Sequence, residues 1–195
     1  MSTDLLPLAT YCALMSSTPG PNNMMLTASG ASFGYRRTLP QILGIAFGGF
    51  LQTLLCCLGL GALIASAPQV QNGLRVAGAL YLLWLAWRML RSSVAEAQMA
   101  EPLSFAQGCL FQAVNPKAWS RSITVAAVFM PPELAPLQGA LLVSMLGAMI
   151  GVPCVSIWAL FGMAIRRWLA DARMRRRFNA MMAAGLAVLA LTFLY

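Results

Sequence analysis

No charged residue stands between Asp4 and Arg36, between Arg37 and Arg75, or between Glu133 and Arg166. Each of these stretches exceeds the ~20 residues that an α-helix needs to cross a hydrocarbon core. That feature sets the solvent. Of the 195 residues, 59% are hydrophobic and 9% charged, where an ordinary soluble domain carries roughly 25% charged residues. Mean hydropathy is +0.73. One globular core of this size has no means of hiding so much apolar surface from water. The chain is therefore predicted to be an all-α integral membrane protein, with residues 1–195 as a single membrane domain and no separate soluble one.

Six membrane spans are predicted, at about 5–27, 39–65, 74–90, 105–129, 136–163 and 178–194. The third is the tightest, because Arg75 and Arg88 bracket only about 18 Å of helix and both would have to snorkel outward. Charge placement argues for keeping it. Six spans put Arg36, Arg37, Arg88, Arg91 and the six arginines between 166 and 177 on one face. That face is cytoplasmic by the positive-inside rule, which leaves Arg75 outside together with both termini. Trp84, Trp87 and Trp168 stand beside the inner arginines, where interfacial aromatics belong. The opening Met1-Ser2-Thr3-Asp4 lacks the basic region of a signal peptide, so the first apolar segment is expected to persist as a helix.

The formal charge of +8, from 13 Lys+Arg against 5 Asp+Glu, follows from the same rule and from anionic lipid, and no nucleic-acid partner is expected. The arginines of 173–177 read more simply as a topology anchor than as a lipid-headgroup site. All five cysteines lie in apolar segments without a CxxC spacing, and histidine is absent. No metal site or cofactor is expected, and the thiols read as small buried hydrophobes. Gly44/Gly48 and Gly147/Gly151 are small-xxx-small pairs, predicted to serve helix packing.

Two of the six spans are interrupted. Thr18-Pro19-Gly20-Pro21-Asn22-Asn23 breaks the first, and Asn115-Pro116-Lys117 breaks the fourth. Proline removes a backbone donor and disrupts the ladder, and polar backbone at that depth is tolerated only against protein or a wet cavity. Pro21 and Pro116 are about half a chain length apart, so each opens a half of three spans. An odd number of spans inverts the second half relative to the first, giving inverted repeats of about 1–98 and 99–195. Broken helices at matching places in two inverted halves point to a midplane transport site.

The ordered trio TPGPNN, GALYLLWLAWRM and NPKAW resembles the LysE/RhtB family of amino-acid exporters, over essentially the whole chain. Within it, the length and the TPGPNN and YLLWLAW segments are most similar to the cysteine/O-acetylserine exporter branch. The resemblance implies secondary-active export of amino acids or close derivatives across the bacterial inner membrane. It also implies a translocation site made from Pro19, Gly20, Pro21, Asn22 and Asn23 with Asn115, Pro116 and Lys117.

The residues themselves narrow the chemistry. A carboxylate suits freed N–H groups at a half-helix N-terminus and a nearby cation, a role that Lys117 can fill. An ammonium suits uncapped carbonyls of the broken first helix and the side-chain oxygens of Asn22, Asn23 or Asn115. None of the five acids (Asp4, Glu96, Glu101, Glu133, Asp171) falls within a span, which disfavours a basic substrate and leaves a small neutral one expected. Lys117 is also the only lysine, so proton coupling falls to it, with membrane potential as the other drive. Arg121 departs from the apolar continuation expected of the family. A charge at bilayer centre costs roughly 2.5–3.5 kcal/mol, and Lys117 and Arg121, four apart, share a helical face. Either both line a wet pathway biased toward acidic or phosphate-like solutes, or the helix starts late and both sit near an interface.

Other classes make different demands. An intramembrane hydrolase would need Ser16 or Ser17 paired with Lys117, since histidine and buried carboxylates are lacking. A non-transporting membrane scaffold or lipid-handling protein would not need two matched breaks. Homo-oligomerisation is left open by the sequence.

Overall fold

The computed structural model describes residues 5–91 and 101–194, which contain helices and turns and no strand. Helix α1 (Leu6–Ser17) and helix α2 (Pro21–Phe33) follow each other across the break Thr18-Pro19-Gly20. A one-residue turn at Gly34 leads into α3 (Tyr35–Leu55), which passes through a widened π turn at Cys56–Leu60 into α4 (Gly61–Ala65). Next come α5 (Pro68–Arg91), the second interrupted pair α6 (Phe105–Val114) and α7 (Pro116–Val128), and the long α8 (Pro136–Ile165). A 3₁₀ turn at Trp168–Ala170 precedes α9 (Ala172–Leu194).

Local chemistry sets these limits and corrects several expected boundaries. Gly34 has φ +80° and Gly59 has φ +112°, a region that L side chains rarely enter. The first allows α3 to begin at Tyr35, earlier than position 39. Asp171 Oδ1 accepts from the backbone N–H groups of Arg173 and Met174, each at 2.9 Å. This cap starts α9 at Ala172 instead of 178. Ser104 and Gln107 form a reciprocal capping box at α6. The third segment is longer than its bracketing arginines suggest: α5 has 24 residues, about 36 Å of helix, and carries an exposed Arg75 on its side.

Among the described residues, Tyr35–Ile64 and Pro136–Ile165, each 30 residues long, are long and apolar enough to cross a membrane, and Phe105–Val114 is a shorter apolar helix. The outside of the bundle is apolar too, with Leu6 and Leu110 each 70% exposed and Trp168 72%. Water penalises such a surface, whereas lipid tails do not.

Inside, α2 packs on α8, α3 on both α6 and α8, α1 on α8, and α5 on α9. One apolar cluster joins Leu8, Cys12, Val125 and Val143, with Tyr11, Cys57 and Phe129 against it. Leu26, Ile42, Ile45, Val155 and Ala159 form a second, and a third is built around Met25, Leu82, Phe111 and Leu186. Glycine brings backbones into direct contact at the main crossings. A Cβ at Gly30 would collide with the carbonyl of Ala159, one at Gly162 with that of Thr27, and one at Gly44 with that of Phe105. Lipid supplies no hydrophobic drive between helices, so such close approach is how they hold together.

Candidate functional site

The two breaks meet. Asn22, in the first turn of α2, and Gln112, in the last turn of α6, exchange side-chain amide bonds of 3.1 and 3.2 Å. Lys117, in the first turn of α7, reaches over Gly20 to the first break. Its Nζ donates to Thr18 O at 2.8 Å, Thr18 Oγ1 at 2.8 Å and Pro19 O at 3.2 Å. Gly20 is what permits this passage, since a Cβ there would stand 2.9 Å from Lys117 Cδ. Asn23, buried beneath, donates from Nδ2 to Ser16 O and Thr18 O, each at 2.8 Å. Carbonyls left without partners at the end of α1 are thus capped from within the same motif. At the second break Asn115 Oδ1 accepts from Lys117 N at 3.2 Å, and Trp119 Nε1 donates to Ala113 O at 2.8 Å.

These groups enclose a cavity of about 70 Å³. Gly20, Pro21, Asn22 and Asn23 line it from one break, and Asn115, Lys117 and Arg121 from the other. Ser16, Gln112 and the glycines at 49, 147 and 151 complete the polar and open parts of the wall, with Ile45 and Val155 as an apolar side. The volume suffices for a few waters or a small solute. The N-terminal turns of both α2 and α7 face this space, so two positive helix ends point into it. Pro19 and Pro116 do not line the cavity; they act through the backbone they interrupt.

Lys117 and Arg121 therefore share one wall of this cavity. Arg121 Nη2 donates to Thr53 Oγ1 at 3.3 Å, and Thr53 is tied in turn to Gly49 O at 2.8 Å and Ser122 Oγ at 3.0 Å. No acid among the described residues lines the cavity. Among the described residues no group of His, Cys, Asp and Glu could hold a metal ion, while Asp4 and Glu96 lie outside those residues. All five thiols are free. The serine–lysine pair does not form, because the Lys117 bonds go to Thr18 and Pro19 and Ser17 is exposed.

Sequence reasoning missed Gln112, Gln52 and Thr18. Gln52 Nε2 donates to Gln112 O at 3.0 Å, which steadies the end of α6. For the two glutamines the signal was an amide inside an otherwise apolar helix, and for Gln112 a position one turn before Asn115; Thr18 opens the TPGPNN break itself. Gly147 and Gly151 lie where α8 packs on α1, as expected of the pair: a Cβ on them would meet Cys12 Sγ at 3.5 Å and Ser16 Oγ at 3.6 Å, with Arg121 nitrogens just beyond at 3.8 and 3.9 Å.

The LysE type translocator family matches residues 13–195. This chain belongs to that family. As a LysE-family protein it is an integral membrane translocator of the amino-acid exporter class and not an enzyme. It is 35% identical over 160 residues to proteins named cysteine/O-acetylserine efflux protein in Escherichia coli K12 and Shigella flexneri, covering 81% of this chain and 82% of each relative. No solved structure matches this LysE-family chain.

Proposed function

We propose that this protein is a secondary-active exporter of a small neutral amino acid or close derivative, in the bacterial inner membrane, with the cavity between the two breaks as its binding site. The observation that carries the reading is the cross-bonding of the breaks, Asn22 to Gln112 and Lys117 to Thr18. A transporter needs irregular backbone beside a cavity where two halves meet, and a scaffold does not. Gly20, Pro21, Asn22, Asn23, Asn115, Lys117 and Arg121 line the site, and Pro19 and Pro116 shape the backbone that carries them. Cysteine and O-acetylserine are the first candidates because the relatives carry those names.

The same reading takes the chain as six spans in two inverted halves, 1–98 and 99–195. Supporting it, α3 and α8, the second helices of the halves, pack on each other, and so do α5 and α9, the third helices. A twofold axis in the membrane plane leaves such pairs in contact with their own counterparts. Arg166 Nη1 lies 3.6 Å from where a Cβ on Gly34 would stand. The turn carrying Arg36 and Arg37 thus shares an end of the bundle with the end of α8, as a cytoplasmic arginine face requires.

Coupling falls to Lys117, the only lysine, since guanidinium does not deprotonate in proteins. Loss of its proton would weaken the bonds to Thr18 and Pro19 and loosen the joint between the halves. The test is efflux of an amino-acid panel from proteoliposomes under an imposed proton gradient. Gradient-dependent efflux of cysteine, serine or O-acetylserine is expected. Absence of flux for every solute would leave the scaffold reading instead.

A further inference from the structure

The cavity holds two cations and they are not equivalent. An ammonium has three donors, and Lys117 has three acceptors within 3.2 Å, all on the Thr18-Pro19 break. Its bonding capacity is used by the protein. Arg121 has five N–H donors and, among the described residues, one hydrogen-bond partner, the Thr53 hydroxyl at 3.3 Å. That hydroxyl is already engaged with Gly49 O and Ser122. An unpaired charge inside a bundle is costly, and this one lies against glycine. A Cβ added at Gly49, Gly147 or Gly151 would be in ordinary contact with guanidinium nitrogens, at 3.4, 3.8 and 3.9 Å, and at the last two nearer still to Cys12 Sγ and Ser16 Oγ. At these positions α3 and α8 set no side chain against the guanidinium. The first turn of α2 and that of α7 add their positive ends to the same space.

We propose that Arg121, and not Lys117, anchors the substrate carboxylate, and that Lys117 is a latch across the broken first helix. The inference deepens the export reading and rests on it for the identity of the solute. A guanidinium offers two parallel donors to the two oxygens of a carboxylate, a geometry that a single ammonium cannot supply. The spare donors of Arg121, and a cavity wall that carries no acid among the described residues, make a free carboxylate the recognised group. Solutes with that group amidated are rejected, because the guanidinium is then left buried without a counter-charge.

The test uses the full chain, purified and reconstituted, with serine, cysteine and O-acetylserine each set against its carboxamide. Affinity is read from ligand-induced thermal shift in detergent, and flux from proteoliposomes. Wild-type protein is expected to bind each acid about ten- to a hundredfold more tightly than its amide, the range of a hydrogen bond to a charged group. Arg121→Gln is expected to abolish that preference. Arg121→Lys, which keeps the charge and covers any failure of the glutamine variant to fold, is expected to retain only part of it. Lys117→Gln is expected to lower the midpoint of thermal unfolding and stop flux while the acid-over-amide ratio stays within about twofold of wild type. A ratio that survives Arg121→Gln, or disappears with Lys117→Gln, overturns the assignment. Absent flux with an intact, Arg121-dependent ratio removes the export reading alone; a wild type that binds neither acid nor amide overturns both.

Discussion

Lys117 shows how much one side chain does at a helix break. Its stem passes over Gly20 and its ammonium ties the opening turn of α7 to the end of α1, so its substitution affects both helix breaks at once. Lys117→Ala is expected to abolish efflux from proteoliposomes. Lys117→Arg is expected to keep part of the flux but lose its pH dependence, because the charge becomes permanent; a normal proton-coupled profile would take coupling away from lysine. The Asn22–Gln112 pair is a second tie between the same two breaks. A double-mutant cycle to alanine should give a coupling of about 0.5–1.5 kcal/mol in chemical unfolding, the net worth of such bonds, and a value near zero would mean the pair is incidental.

Helix contacts depend on where glycine stands, not on how many glycines there are. Gly30 and Gly162 set α2 directly on α8, while Gly73 on α5 has no atom within 4 Å of where its Cβ would be. Gly30→Val is therefore expected to destabilise by about 1–3 kcal/mol through overpacking. Gly73→Ala is expected to be stabilising by up to about 1 kcal/mol, from helix propensity alone. Thermal unfolding in detergent checks both, and equal effects at the two sites would refute the backbone-contact account. The basic first turn of α9 runs against its own helix dipole and is held by the Asp171 cap. Asp171→Ala should cost about 0.5–2 kcal/mol, read from the same unfolding curves.

Over the whole molecule, charge asymmetry and packing point to one orientation. The Gly34 turn and Arg166 are neighbours at one end, and the arginines from 173 to 177 follow from α8 within a short connection. With the native cysteines removed, a single cysteine at position 173 is expected to react with an impermeant thiol reagent only from the cytoplasmic side. Reaction from outside would reverse the topology and, with it, the direction in which the cavity is presented.

Composition and the charge-free stretches were enough to determine the solvent, and the prolines marked both helix breaks, because lipid compatibility and a missing N–H are local properties. The ordered motifs were enough for the family. Boundaries came out less well: the Asp171 cap and the Gly34 turn moved α9 and α3 by several residues, since an apolar window does not register a cap. The pairing of Lys117 with Thr18 and Pro19 was not legible at all. It spans 99 residues, and no spacing rule connects side chains brought together only by the crossing of α1, α2 and α7. Gly147 and Gly151 read as a packing pair and do stand against Cys12 and Ser16 of α1, but the Arg121 guanidinium just beyond comes from a third helix and left no mark on their spacing. That Lys117 bonds to the Thr18-Pro19 break while Arg121 meets a single hydroxyl is a matter of distances across the fold, and only the tertiary structure decided it.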